Sequence, residues 1–276
     1  QHHILALSLT AMTTFVVGLI VFLAEPNRRV NQIFALYTLS ISGWAVAEAL
    51  IVGASHQAFA NLIWRTIGWP FVFFIAPTFL HTVLLSTEEK RRTPTRILTV
   101  GYITSCLFLL LQLISPTLLT EPPRPVGYVH FHHDITPLGS IVPLMFLVLV
   151  TTALWTLWRA CQRTTGQRKT QMKYLFWASL IGYLGGSPSW CFVFGFCLPL
   201  VSPFGLYGVP CYSLAMAYAI FQHRLFDVNL VIRRSLVYSL LVTLLTVGYF
   251  GLVYAVERLF QATFGYNSMW LSLAAF

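Results

Sequence analysis

Charge is what this chain has least of: Asp, Glu, Lys and Arg make up 9% of its 276 residues, and only eight residues are acidic. A water-soluble body of that length exposes more polar surface than such a sequence can supply, so a soluble globular protein is excluded. The hydrophobic fraction is 57% and the mean hydropathy +0.73, which places the chain in a membrane. Also lacking is the alternation of apolar and polar residues that the strands of a membrane barrel require. Runs such as IVPLMFLVLVTTALWTLW (141–158) are apolar on every face. The expected fold is therefore all-α, a polytopic transmembrane helix bundle, because a helix satisfies its own backbone hydrogen bonds where there is no water.

Cysteine is sparse as well, with five scattered residues. Cys191 and Cys197 flank one end of a span, but six positions along a helix make poor disulfide geometry, so free thiols are expected. Cys106 and Cys211 read as small core residues, and Cys161 as cytoplasmic. No glycine-rich phosphate loop is present. Charge inside the apolar runs is nearly confined to Glu48 and Arg65, which argues against an ion-coupled transporter.

What is there is a series of apolar runs at about 4–24, 32–52, 61–85, 97–115, 138–158, 174–196, 203–221 and 236–255, each long enough to cross a bilayer. The first lacks a clean small-residue cleavage site and is read as a helix, not a signal peptide. The final NSMWLSLAAF reads as the opening turns of a ninth helix, so the protein is expected to continue past Phe276.

Of the 17 Lys and Arg residues, 14 fall in alternate loops: Arg28 and Arg29; Lys90 to Arg96; Arg159 to Lys173; and Arg224, Arg233 and Arg234. The opposite loops hold Arg65, Arg124 and Arg258. Basic residues stay on the cytoplasmic side during insertion, so the amino terminus is expected outside. The net charge of +9 then reflects topology and attraction to anionic membrane lipids, and no nucleic-acid partner is implied.

The longest external connection, residues 116–137, contains TEPPRP followed by GYVHFHHD. The prolines favour extended chain, so residues 127–134 are expected to form a short strand or hairpin arm over the bundle mouth. In such a strand Tyr128, His130, His132 and Asp134 share one face and His133 lies on the other. Three readings stand for His130, His132, His133 and Asp134: a divalent metal site, since imidazole and carboxylate suit zinc, copper or nickel; a proton sensor; or a solvated loop that binds nothing. His2, His3 and His56 also fall outside, with His2 and His3 the weakest candidates. Glu48 and Arg65, near the outer ends of spans 2 and 3, are expected to pair. Proline and glycine interrupt spans 3, 6 and 7, and a bent bundle with Trp69, Phe73, Trp190, Phe194, Tyr207 and Tyr212 suits a pocket for a small apolar or amphipathic signal.

Three stretches, PNRRVNQIFALYTLSISGWAVAEAL (26–50), APTFLHTVLLS (76–86) and AMAYAIFQHRLFDVNLVIRRSLVYSLLVTLLTVGYFGLVYAVERLF (215–260), resemble the amino-terminal membrane sensor region of bacterial histidine kinases. The resemblance implies a seven-helix receptor-like module in the bacterial inner membrane, here 1–221. A cytoplasmic amphipathic link (222–235) follows, then an additional span and the start of another (236–276). It implies relay of a stimulus to cytoplasmic output domains, commonly in a homodimer, and names no ligand. His81 matches the family's Pro-x-x-x-His pattern, and Arg224, Asp227, Arg233 and Arg234 in the link are the expected coupling residues, with His81 as a further candidate. No histidine here is followed by Glu, and the His133-Asp134 pair falls on the external side, so these residues are not expected to act as a kinase by themselves. The alternative is an accessory or transporter-like subunit of a larger membrane assembly.

Overall fold

The computed structural model describes residues 2–54, 56–89, 91–121, 124–126, 129–132, 135–195 and 201–223, together with Val242; of Val129, His130 and Phe131 it describes the backbone alone. The chain divides into two compact units, Gln1–Val228 and Asn229–Phe276. The architecture below is that of the first; the expected span at 236–255, Val242 apart, and the one after it lie outside the described residues.

The order of elements is α1 (His2–Ala24), α2 (Arg29–Val52), α3 (Gln57–Ile63), a π-helical turn (Trp64–Gly68), α4 (Trp69–Thr87), α5 (Arg92–Ile114), β1 (Arg124–Val126), β2 (Val129–His132), α6 (Ile141–Arg163), α7 (Gly166–Gly186), α8 (Ser189–Val193), α9 (Val201–Gly205) and α10 (Gly208–His223). The fold is an all-α polytopic bundle with one two-stranded antiparallel hairpin. Among the described residues, five segments are long and apolar enough to cross a membrane: α1, α2, the continuous run Gln57–Thr87, α5 and α6. The sixth expected span is helical from Gly166, earlier than its apolar stretch, because Gln167, Arg168, Lys169 and Lys173 are good helix formers even though they are too polar for the bilayer core. The seventh is divided into α9 and α10.

Many threonine and serine hydroxyls inside the helices bond to the backbone of their own helix. Thr10 and Thr14 each donate from Oγ1 to the carbonyl four residues earlier, at 2.8 and 2.6 Å. Small residues set the close approaches. A Cβ at Gly18 would lie 1.9 Å from Thr38 Oγ1, so α1 and α2 meet there backbone to side chain, and Ser42 Oγ donates to Ala11 O at 2.8 Å nearby. The sixth span is interrupted after Gly186, as its glycines and Pro188 suggest, and the GYLGG stretch before the break lets α7 pack tightly: a Cβ at Gly182 would meet Tyr212 and one at Gly185 would lie 2.6 Å from Gly205 O.

Proline positions have specific compensations. Pro77 has no N–H for the carbonyl of Phe73, and the buried Ser105 of α5 donates to that carbonyl at 2.6 Å. Just before Pro70 the helix widens into the π turn, where the Trp69 N–H bonds to Trp64 O, five residues back. At the end of the bundle carrying the basic loops, α4 stops at Glu88 in a left-handed conformation (φ 53°). Arg168 at the start of α7 donates to Glu88 Oε1 at 2.9 Å and to Ser86 O at 3.1 Å.

Candidate ligand site at the hairpin end

The hairpin is fixed to the bundle by backbone. Ile135 N–H donates to Val193 O at 3.3 Å, Thr136 N–H to Leu119 O at 3.1 Å, and Thr136 Oγ1 to Leu118 O at 2.6 Å. Gly139 packs against the Leu119 carbonyl so closely that a Cβ would sit 2.1 Å from it. The strands pair Arg124 with His132 and Val126 with Val129.

This anchoring drives His132 into the bundle, where it is 1% exposed. Its Nε2 lies 3.6 Å from Oε1 of Glu48, which is equally buried on α2. His3 of α1, also buried, brings its Nε2 to 3.9 Å from the same oxygen. Aromatic rings close the group: Trp64 meets His132 edge to face at 5.4 Å, and Phe192 lies 5.5 Å from His132 and 5.8 Å from His3. Both nitrogen–oxygen separations exceed hydrogen-bond length. Glu48 Oε1 accepts no hydrogen bond among the described residues.

The π turn explains the aromatic wall. Five residues of regular α-helix would put Trp64 and Trp69 on different faces, whereas the wider turn brings them to one side with ring centroids 5.5 Å apart. Gly68 is required beneath them, since a Cβ there would lie 2.1 Å from the Trp64 ring.

Beside Glu48 opens a cavity of about 460 Å³ between α2, α4, α6, α7 and α10. From Glu48 it follows α2 through Trp44 and Ile41 to Tyr37, about 16 Å at 1.5 Å per residue. Tyr37, Tyr183 and Tyr212 line the far end, where Phe79 stacks between Tyr37 and Tyr183 at 5.3 and 4.8 Å. Leu147 of α6 and Leu184 of α7 line the cavity and are 59% and 65% exposed, so its wall reaches the apolar outer surface of the bundle between those helices.

A family model, N-terminal 7TM region of histidine kinase, matches residues 6–229. The chain belongs to that family. It is accordingly a multi-pass membrane protein, and the match takes in the hairpin and every helix of the bundle. No curated protein and no solved structure matches it.

Within this histidine-kinase membrane region the expected site residues have different fates. The Glu48–Arg65 pair does not form: Arg65 makes no ion pair with Glu48 among the described residues, because its neighbour Trp64 takes the inward face of the π turn and Glu48 faces two imidazoles instead. His132 is a core residue, not a solvated loop histidine. The His130 side chain, Tyr128, His133 and Asp134 lie outside the described residues, as do Arg224, Asp227, Arg233 and Arg234. No group of three or more His, Cys, Asp or Glu arranged to hold a metal occurs among the described residues, which leave out the side chains of three of the four expected ligands. His81 is half-buried and its Nδ1 lies 3.1 Å from the Tyr102 hydroxyl of α5.

Of the expected pocket aromatics, Trp69, Trp190 and Tyr212 line the cavity. Phe73 stacks on Trp69 in the core, Phe194 is exposed, and Tyr207 donates to His2 O at 3.4 Å. Cys106, Cys161, Cys191 and Cys211 are free thiols; Cys106 and Cys211 are exposed on the helix surfaces, not in the core. His3 is the member of this buried group that sequence reasoning, together with His2, placed lowest. Its one signal is an imidazole at the start of an otherwise apolar helix.

Proposed function

We propose that this chain is the sensory input module of a bacterial histidine kinase or related signalling protein. In this reading the hairpin end faces outside and the basic end faces the cytoplasm of the bacterial inner membrane. A small apolar or amphipathic signal enters the cavity and biases the packing of the helices around it. The shift is relayed to cytoplasmic output domains, in a homodimer.

The observation that carries the proposal is the double role of α4 and α7. Trp69, Val72 and Ile75 of α4 face Ser179, Gly182 and Tyr183 of α7 across the cavity. At the other end of the bundle the same two helices are tied through Arg168, Glu88 and Ser86. Packed helices slide or pivot between discrete arrangements, so a guest that spreads α4 from α7 at one end changes their relation at the other.

The test is a small-molecule screen on the purified protein by tryptophan fluorescence, with amide hydrogen exchange of residues 86–89 and 165–169 followed for each hit. Support would be a compound that changes exchange at the basic end of the wild type and neither binds nor acts on Leu180→Trp, whose larger side chain fills the cavity. Hits that bind the cavity but leave basal-end exchange untouched would refute the relay.

A further inference from the structure

Charge chemistry on the cavity wall is sparse. Among the described residues Glu48 is its one carboxylate and His132 its one imidazole, and no Lys or Arg lines it. Four tryptophans, Trp44, Trp64, Trp69 and Trp190, contribute to the same wall, and Trp44 stands one turn from Glu48 on the same face of α2. A carboxylate removed from water is costly unless it is hydrogen-bonded or neutralised. Glu48 Oε1 is buried and accepts no hydrogen bond among the described residues, and the nearest basic atoms, on His3 and His132, stand beyond hydrogen-bond length. An acid so placed, in a wall that also carries four indole rings, has the composition of a site for a positively charged guest: the carboxylate supplies charge, and indole rings attract a cation that has shed its water. The rest of the wall is mostly apolar, with the hydroxyls of Ser179, Ser189, Tyr183 and Tyr212 among its polar groups, and it meets the outer surface between Leu147 and Leu184.

We infer that the ligand of this cavity is a small organic cation with an apolar body, an amine or quaternary ammonium compound whose charged head sits against Glu48 and the tryptophan rings. The apolar body extends along α2 towards Tyr37, and the guest enters from the bilayer side between α6 and α7. Three features fit this class. The cavity volume of about 460 Å³ is that of a small-molecule pocket. Its length suits a head and a body instead of a bare ion. A lateral mouth suits a molecule that partitions into lipid. This inference rests on reading the cavity as the signal-receiving site, and its test separates the two.

The experiment titrates the purified full chain in lipid nanodiscs with three probes of matched shape: benzyltrimethylammonium, its neutral isostere neopentylbenzene, and the anion phenylmethanesulfonate. Binding is read from tryptophan fluorescence after correction for partition into empty nanodiscs. The inference predicts that wild type binds the cation at least tenfold more tightly than the neutral isostere and the anion least tightly. Glu48→Gln, checked by thermal melting to be folded, should lose at least tenfold in affinity for the cation and change less than twofold for the isostere. Equal binding of cation and isostere by wild type would overturn the cation assignment while leaving the cavity as a binding site, and needs no variant. Should neither cation nor isostere bind, or should Leu180→Trp bind both as wild type does, the cavity itself would be refuted.

Discussion

The two ends of this bundle handle charge in opposite ways. At the basic end, ion pairs stand largely towards solvent: Arg168 meets Glu88 at 2.9 Å, with the two side chains 46% and 74% exposed, and Glu25–Arg28 and Glu89–Arg91 lie at 3.8 Å. At the hairpin end one carboxylate is buried among rings, with imidazoles at 3.6 and 3.9 Å. Solvent screens the first kind, so each pair contributes little to stability and mainly fixes topology and helix ends. A low-dielectric setting amplifies the second kind, so a single charge there governs what the site can hold. Abundance of charge therefore goes with the exposed end of this bundle, and isolation of charge with the buried one.

Breaking the hairpin end should have the largest effect. Trp64→Ala removes the ring that fills the space over Gly68 and touches both Trp69 and His132. A loss of about 3 kcal/mol is expected from cavity formation, read as a fall in the thermal midpoint of the purified protein. The next effect belongs to the middle of the bundle. Ser105→Ala leaves the Phe73 carbonyl without its donor and should cost about 1–2 kcal/mol. Adding Pro77→Ala to that variant restores a backbone N–H four residues after Phe73 and should recover much of the loss; additive destabilisation in the double mutant would contradict this account of Pro77. Tyr102→Phe, which removes the partner of His81 Nδ1, should cost about 1 kcal/mol in the same assay. Smallest is the basic end, where Arg168→Ala should move stability by about 0.5 kcal/mol while altering amide exchange at residues 86–89. A larger stability loss from Arg168→Ala than from Trp64→Ala would invert the comparison.

Much of this architecture was legible in the sequence, for a physical reason: hydrophobic length and basic-loop asymmetry are local properties. The first seven expected spans have counterparts in helices, and the extended stretch after TEPPRP became β2. The site was legible only in parts. Glu48 stood out because acids are rare in apolar runs, but its partners come from residues 45 positions before and 84 after it, and no local pattern fixes that meeting. The π turn was hidden because its signal, a glycine and a proline flanking Trp69, also fits an ordinary bend. His132 was visible as one of a cluster, but its inward turn depends on where Thr136 and Ile135 anchor the hairpin.

The coupling of the cavity to the basic end can be tested without any ligand. Spin labels at Thr87→Cys on α4 and Gln167→Cys on α7, in a background free of the native cysteines, report the distance between these helices beside the Arg168–Glu88 contact. With Leu180→Trp occupying the cavity, the distance distribution should shift or redistribute between two populations relative to the unfilled protein. An unchanged distribution in a folded Leu180→Trp protein would contradict the relay from the cavity to the basic end.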